Sequence, residues 1–216
     1  MSRALYTLTL GVIFGISALA QEAPVGDVFL GYSFVRANSA RDIPAFTNNG
    51  GLGTLAFNIN NHVAIESEFG GYHNGNISGK ELDTTSVSFL FGPRFSYARS
   101  NRFDPYVHFL FGGMHISSSI AKSSVLIPVQ PTVPSSVNSS GDRFAASQGN
   151  FAMAIGGGLD IKLSKYMTLR PIQLDYFMTR FEDLGLPAQL FGTPSQNRNQ
   201  NNLRYAAGIA FNFGAQ

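Results

Sequence analysis

The sequence predicts an all-β protein: an eight-stranded antiparallel up-and-down transmembrane β-barrel. Beyond residue 20, segments of roughly ten residues alternate apolar and polar side chains, as a sheet with two different faces requires. These segments are closed in turn by short polar turns and by longer polar loops. Every later segment is interrupted by polar residues, which excludes membrane-spanning helices. Because a bilayer offers no water to unpaired backbone groups, a sheet crosses it only as a closed cylinder.

The composition supports a lipid-facing surface. Charged residues make up 13% of the 216 residues and hydrophobic residues 44%, with 23 Gly and 19 Phe. The formal charge of +2 is too small to indicate a nucleic-acid partner. The absence of cysteine excludes disulfides and thiolate metal sites, and we expect neither a cofactor nor a metal.

The amino terminus has the pattern of a secretory signal peptide. Arg3 precedes an apolar run over 4–17, and the small residues 18–20 precede Gln21. We predict a signal peptide over 1–20, cleaved after Ala20, and a barrel domain over 21–216. A membrane anchor helix is the alternative, but the apolar run is shorter than the ~20 residues that a helical span needs.

Eight segments have the alternation expected of strands. Their predicted bounds are about 25–37, 50–60, 62–73, 84–98, 105–117, 150–163, 166–181 and 202–213. In the first four strands, the side chains predicted to face lipid are Val28, Leu30, Tyr32 and Phe34, then Leu55, Phe57 and Ile59, then Val63, Ile65, Ser67 and Phe69, then Val87, Phe89, Phe91, Phe95 and Tyr97. In the last four they are Val107, Phe109 and Phe111, then Phe151, Met153, Ile155, Leu159 and Ile161, then Ile172, Leu174, Tyr176 and Met178, then Leu203, Tyr205, Ala207, Ile209, Phe211 and Phe213.

Short and long connections alternate along the chain. Tight turns are predicted at 60–62, 100–102 and 164–165, and long loops at 38–49, 74–83, 118–149 and 182–201. In an outer-membrane barrel the tight turns and both termini are periplasmic and the long loops are exterior. The third loop is rich in Ser, Val and Pro, so we expect it to be irregular and mobile.

A soluble lipocalin-like barrel or a sandwich would also alternate, with its apolar face in the core. The polar faces of this chain, however, are dominated by Gly, Ala and Ser rather than by Lys and Glu. Such small side chains are typical of a crowded barrel interior, which favours the membrane barrel.

The chain resembles the OmpA-type outer-membrane β-barrel superfamily in its single-domain form. The resemblance covers nearly all of the predicted mature chain and depends on the predicted signal peptide and on the segments 28–33, 91–94, 169–176 and 202–209. It implies a protein of the Gram-negative outer membrane, exported through a cleaved signal peptide and inserted by the outer-membrane assembly machinery. Lipid and lipopolysaccharide would surround it, no nucleic acid would bind, and we expect a monomer.

The chain departs from the superfamily pattern in two places. No peptidoglycan-binding domain is expected after the barrel, and Gln216 stands where the last strand of the family ends in an aromatic residue. Phe211 and Phe213 could supply the assembly signal instead.

Charged residues on the inward faces form a candidate site. They are Glu66, Glu68, Arg94, His108, Asp160, Asp175 and Arg204. Side chains fill an eight-stranded barrel, so inward charges must be paired. Heights counted from the tight turns predict the pairs Glu68–Arg94, His108–Asp160 and Asp175–Arg204. Either these pairs are a polar plug, or a switch of partners gates a narrow ion path; a general diffusion pore needs a wider barrel.

The side on which Arg170 points is left open by the sequence. Arg170 has the same parity as the lipid-facing Ile172, so it would extend to the membrane interface. Pro171 could instead mark a β-bulge that turns Arg170 inward.

The expected function is that of an integral outer-membrane protein, structural or porin-like, with four exterior loops and at most slight leakage of ions or solutes. One alternative is an enzyme, because His115 and Ser117 resemble the pairing of outer-membrane lipid A deacylases. No acid follows on the adjacent strand, and Asp142 lies in the loop, so no enzyme is expected. A second alternative is a surface adhesion protein that uses the third loop.

Overall fold

The computed structural model describes residues 25–38, 45–75, 82–97, 99, 102–121, 137–140, 143–180 and 199–214. The predicted signal peptide and large parts of the predicted long loops, including Asp142, lie outside these ranges. The strands are β1 (Gly26–Ala37), β2 (Phe46–Asn58), β3 (Val63–Asn74), β4 (Leu82–Ser96), β5 (Phe103–Ala121), β6 (Val137–Ser140), β7 (Arg143–Lys162), β8 (Met167–Arg180) and β9 (Asn199–Phe213). Among these described residues no helix is long and apolar enough to span a membrane.

Eight of these strands close into an antiparallel barrel, which confirms the predicted fold class. The sheet order is β5-β4-β3-β2-β1-β9-β8-β7-β6, and β5 also pairs with β7, so the cylinder closes. The short β6 pairs with β7 alone and is not part of the barrel wall. Moving from Glu68 to the register partner on each successive strand leads to Gln200 of β9 in one direction around the barrel, and to Ala210 of β9 in the other. The two end points differ by ten residues, and this difference is the stagger of the closed sheet. Such a stagger tilts the strands steeply against the barrel axis.

The two faces of the wall differ as the alternation predicts. Outward apolar side chains are strongly exposed, for example Leu30 (60%), Phe69 (60%) and Phe111 (57%). The inward neighbours Phe29, Glu68 and Leu110 are all at most 2% exposed. Successive strand residues point to opposite faces, so one face of the cylinder can be apolar and the other enclosed.

The third loop was predicted over 118–149, but part of this range forms β-strands, so the predicted loop was too long. β5 runs to Ala121 and β7 begins at Arg143, with Ala121 opposite Arg143, and the unpredicted β6 adds to this end. A tilted strand crosses a membrane with ~9–11 residues, and β5 and β7 have 19 and 20. Beyond the membrane both faces of a hairpin meet water, so the apolar alternation that marks a strand disappears while the backbone pairing continues.

The structure resolves the orientation of Arg170. The register of β8 against β9 shifts between Arg170 and Gln173, which is a bulge at Pro171. Arg170 therefore points inward with Gln173 and is 0% exposed. The interface interpretation was wrong, because the bulge changes the parity of the strand between the two residues.

Candidate functional site

Inward charged side chains from seven strands meet inside the barrel, in a group that we call the interior ionic network. Its members are Asp27, Glu66, Glu68, Arg94, His108, Asp160, Arg170, Asp175 and Arg204. All are at most 6% exposed. Sequence reasoning named seven of the nine as interior charges; it left Arg170 undecided and did not assign a partner to Asp27.

Arg204 joins two carboxylates on different strands. Its Nη1 and Nη2 donate to Glu68 Oε1 and Oε2 at 2.5 and 2.8 Å. Its Nε and Nη2 also donate to Asp175 Oδ2 at 2.9 and 2.7 Å. The predicted contact with Asp175 is present, whereas the prediction that Glu68 pairs with Arg94 was wrong. Such forked contacts are among the stronger hydrogen bonds that a guanidinium makes.

His108 lies between two carboxylates. Its Nδ1 is 3.1 Å from Glu66 Oε1, and its Nε2 is 2.8 Å from Asp175 Oδ1. The prediction that His108 pairs with Asp160 was therefore wrong. When both carboxylates are ionised, both ring nitrogens must donate, and this is satisfied by the doubly protonated ring.

Arg94 and Arg170 share Asp160 at the end of the barrel that carries the tight turns. Arg170 Nε and Nη2 donate to Asp160 Oδ1 and Oδ2 at 2.8 and 3.1 Å, and Arg94 Nη2 donates to the same carboxylate. Arg94 Nη1 also donates to Asp27 Oδ1 at 3.3 Å. Both guanidinium carbons lie over the Tyr106 ring, at 4.3 and 4.6 Å from its centroid. Two like charges thus lie against one aromatic ring, and the carboxylates of Asp160 and Asp27 compensate them.

The wrong pairs have one geometric cause. The predicted pairs joined neighbouring strands, whereas Glu68 and Arg204 stand on β3 and β9, which are not neighbours in the sheet. Long side chains reach across the narrow interior, and the steep stagger places off-register residues at the same height. Only closure of the barrel brings these residues together, and strand-by-strand counting does not include it.

Apolar side chains fill the section of the barrel next to the network, on the side of the long loops. The cluster, which we call the apolar layer, consists of Val35, Tyr72, Leu90, Leu110, Met114, Ala152, Ala154 and Phe177. Leu110 is two residues beyond His108 on β5, and Phe177 is two residues beyond Asp175 on β8. The network therefore borders apolar side chains rather than an open channel on that side.

A small cavity lies on the other side of the network, among polar residues near the tight turns. Its lining includes Asp27, Arg94, Arg99, Asp160 and Lys162. Arg99, in the turn after β4, donates from Nε to Ser96 Oγ at 3.2 Å and from Nη1 to Asn58. Burial, together with the positive charge of Arg94, lowers the pKa of Arg99 to about 10, so Arg99 stays charged at neutral pH.

The two catalytic candidates lie on the outward face. His115 and Ser117 are both exposed on β5, opposite Val87 and Thr85 of β4. Within the described part of the chain no carboxylate pairs with His115, so no base-orienting acid completes a triad. His73 Nδ1 lies 3.6 Å from Asp83 Oδ1, and the described residues contain no cluster of side chains that could hold a metal ion.

Comparison with known proteins decides the family. The family model described as "Outer membrane protein beta-barrel domain" matches residues 6–185, which is more than half of the chain. The chain belongs to this family. It is thus an outer-membrane β-barrel protein, and its place is the bacterial outer membrane.

Solved structures of small outer-membrane barrels share the fold. The attachment invasion locus protein Ail of Yersinia pestis has a TM-score of 0.54 at 14% identity, with 88% of this chain and 99% of that chain covered. The Neisserial surface protein A has a TM-score of 0.55 at 12% identity, with 89% and 100% covered. Ail in complex with the heparin analogue sucrose octasulfate gives 0.51 at 16% identity, with 87% and 99% covered. No curated protein sequence matches the chain significantly.

Proposed function

We propose that this outer-membrane β-barrel protein is a sealed barrel that displays four loops at the cell surface and conducts almost no ions. The proposal includes export by a signal peptide over 1–20, insertion by the outer-membrane assembly machinery, and periplasmic tight turns. Outer-membrane lipid and lipopolysaccharide would cover the exposed aromatic and aliphatic face. The protein would act as a monomer and without a cofactor.

The arrangement of the interior carries this proposal. Each of the three arginines and His108 contacts at least one of five carboxylates, those of Asp27, Glu66, Glu68, Asp160 and Asp175, so no cation in the network is left without an anionic partner. An ion that entered would have to displace a buried, bidentate partner, and breaking such a pair costs about 3–5 kcal/mol. It would then meet the apolar layer, which offers few polar groups to replace its water shell.

Conductance across a planar bilayer tests the proposal. The refolded protein should give no resolved single-channel steps. The double variant Leu110→Ala/Phe177→Ala removes one large aliphatic and one large aromatic side chain of the apolar layer beside the network, and we expect it to conduct measurably more. Phe69→Ala, on the exposed outer face, is the matched control and should leave the conductance of the membrane as low as the parent does. Well-resolved openings of the parent, equal to those of the double variant, would overturn the sealed barrel.

Surface attachment is a second candidate function, favoured by the extended hairpin. β5 and β7 continue well beyond the residues needed to cross a membrane, and β6 widens the same end. Ail, which shares the fold, is by its name an attachment protein. Shortening the hairpin by joining residue 117 to 147 should abolish adherence of expressing bacteria to host cells, while the heat-modifiable band on a gel remains. Adherence that survives this deletion would exclude the hairpin as the attachment element.

A further inference from the structure

A small cavity opens at the end of the barrel that carries the tight turns, between the interior ionic network and the water outside. Its volume is about 20 Å³, somewhat more than the ~10–15 Å³ that one water molecule needs. Arg94 and Arg99 line it as buried side chains, and Asn58, Lys162 and Asn212 line it as half-buried ones. The half-buried residues show that the cavity is reached from water, and its size admits one small ion or the end of a larger molecule.

Arg99 is a buried cation whose hydrogen bonds go to neutral groups. It is 4% exposed. Its Nε and Nη2 donate to Ser96 Oγ, and its Nη1 donates to Asn58 Oδ1. Among the described residues, no carboxylate forms a salt bridge with Arg99 or with Lys162. A guanidinium has five N–H donors, so two of those of Arg99 remain for a further acceptor. Because buried charges are normally paired, an anion is the expected partner.

Arg94 of the network, which lines the same cavity, also has an unused donor. Its Nη1 and Nη2 donate to Asp27 and to Asp160, but its Nε has no partner. Unpartnered buried atoms occur elsewhere in the barrel, but in the described part of the chain Arg94 Nε is the one among them that belongs to a cation. Because Arg94 lies beside a cavity, a molecule held there can accept this hydrogen bond.

The carboxylates of the same lining are already engaged. Arg170 donates two hydrogen bonds to Asp160, Arg94 bonds Asp27 and Asp160, and Asp104 likewise has a partner. The lining therefore has unused donors on its cations rather than unused acceptors on its anions. A metal or ammonium ion would have to compete for these carboxylates, whereas an anion would be met by free donors.

We propose that this cavity binds one oxyanion of the phosphate class. Guanidinium groups bind oxyanions through several N–H donors at once, and Lys162 adds a compact positive charge at the half-buried side. Arg94, Asp160 and Thr168 in the lining belong to the inward face of the barrel, so the anion arrives from water rather than from lipid. Free inorganic phosphate and the terminal phosphate of a small soluble ester share this chemistry.

That this water is periplasmic rests on the membrane orientation proposed above. The binding experiments use purified protein and depend neither on that orientation nor on whether the barrel is sealed. The site and the proposed function can therefore fail separately.

The first test is NMR of the arginine Nε–H groups of the refolded protein in maltoside micelles, which contain no phosphate. Inorganic phosphate is titrated to millimolar concentrations, and potassium gluconate, whose anion is too large for the cavity, keeps the ionic strength constant. We expect saturable shifts of the Nε–H groups of Arg94 and Arg99. Arg204, whose Nε is bonded to Asp175, is the internal reference and should not shift. Absence of saturable shifts, or equal shifts at Arg204, means that the cavity holds only water and overturns the proposal.

A pair of lysine variants separates the site from general surface charge. Lys162→Met removes a cation from the lining and should weaken phosphate binding by about tenfold or more, the effect of losing a charged hydrogen bond. Lys165→Met removes the same charge from the exposed turn three residues further along and should bind as the parent does. Arg99→Lys keeps the charge but loses the forked donors, so it should also weaken binding. Equal affinity of Lys162→Met and Lys165→Met would contradict the site.

Resistance to urea gives a second readout that needs no change at Arg99, which also holds the turn to Asn58 and Ser96. A ligand that binds only the folded protein raises the free energy of unfolding as its concentration rises. Phosphate at constant ionic strength should therefore raise the urea midpoint of the parent and of Lys165→Met, and should raise it less in Lys162→Met. A midpoint that phosphate leaves unchanged in the parent, or moves equally in all three proteins, would refute phosphate binding in the cavity.

Glycerol 3-phosphate and chloride complete the assignment. If glycerol 3-phosphate displaces phosphate from Arg99, the site accepts the end of a phosphate ester; if it does not, the site takes the free ion. Chloride should bind more weakly than phosphate, because a single atom cannot meet donors from Arg94, Arg99 and Lys162 as several oxygens can. Chloride affinity equal to that of phosphate would overturn the assignment to an oxyanion.

Discussion

At the scale of single residues, Arg204 holds the centre of the barrel together. Its guanidinium bonds both Glu68 and Asp175, and Asp175 in turn bonds His108. Strands β3, β5, β8 and β9 are thereby connected through side chains in addition to their backbone ladders. A positive charge at this position is therefore needed by two buried carboxylates at once.

Replacing Arg204 should destabilise the fold strongly. In Arg204→Met two carboxylates lose their guanidinium in a dry interior, and we expect unfolding to become easier by about 3–5 kcal/mol. Urea titration in micelles, followed by the heat-modifiability shift on a gel, measures the change. Arg36→Met, on the exposed outer face, is the control and should alter stability little.

A second substitution tests the cause of this loss. Adding Glu68→Leu to Arg204→Met removes one of the stranded carboxylates, and part of the stability should return, since Asp175 keeps His108 and Gln173 as partners. Equal stability of Arg204→Met and Arg36→Met would show that the network does not hold the strands together.

At the scale of elements, the seam between the first and last strands requires glycine. Gly31 of β1 lies opposite Gly208 of β9. A Cβ atom on Gly208 would lie 2.2 Å from the Leu30 carbonyl oxygen and 2.4 Å from the Gly31 Cα, and both atoms belong to the backbone. The two strands approach too closely at this point for any side chain, and their pairing completes the cylinder.

Gly208→Ala should therefore weaken closure of the barrel. The strands must move apart locally, and overpacking of this kind costs about 1–3 kcal/mol. The matched control is Gly71→Ala, because a Cβ there meets nothing within 4 Å. The yield of the heat-modifiable folded form after refolding into vesicles should fall for Gly208→Ala and stay at the parental level for Gly71→Ala. A normal yield for both variants would mean that the seam tolerates a side chain.

The alternation of side chains was sufficient to predict the barrel elements, because lipid and the enclosed interior demand opposite side chains at every second residue. Prediction from the alternation failed where the two faces of a strand no longer meet lipid and interior. The β5–β7 hairpin is longer than a membrane crossing requires, and outside a membrane the alternation is not required, so the pattern of 118–121 and 143–149 was interpreted as loop. At Pro171 a bulge changes the parity of β8, and nothing in the period of the sequence reveals on which side the next residue falls.

The same reason explains the partial prediction of the site. Inward parity identified seven charged residues that the structure also places inside, including Glu66 and Asp160. Their partners depend on the distance across the closed cylinder and on the stagger, which are properties of all eight strands together. The pairing of Glu68 with Arg204 could not be read from either strand alone.

At the scale of the whole molecule, the interior changes character along the axis. Charged side chains fill the part near the tight turns, the apolar layer follows, and uncharged polar side chains such as Asn48, Asn150 and Asn202 lie at the end of the long loops. This polarity gives the two ends of the cylinder different chemistry. The membrane orientation therefore decides which chemistry meets the environment of the cell.

Single cysteines can establish that orientation, since the natural chain contains none. Ser147 is exposed on β7 at the end of the long loops, and Lys165 is exposed in the tight turn between β7 and β8. A membrane-impermeant maleimide should label Ser147→Cys on intact cells, whereas Lys165→Cys should react only after the outer membrane is permeabilised. Both variants change exposed positions, so both should fold, and full labelling of each in lysed cells controls for reactivity. Labelling of Lys165→Cys but not of Ser147→Cys on intact cells would reverse the orientation, because the barrel wall allows the two ends to reach only opposite compartments.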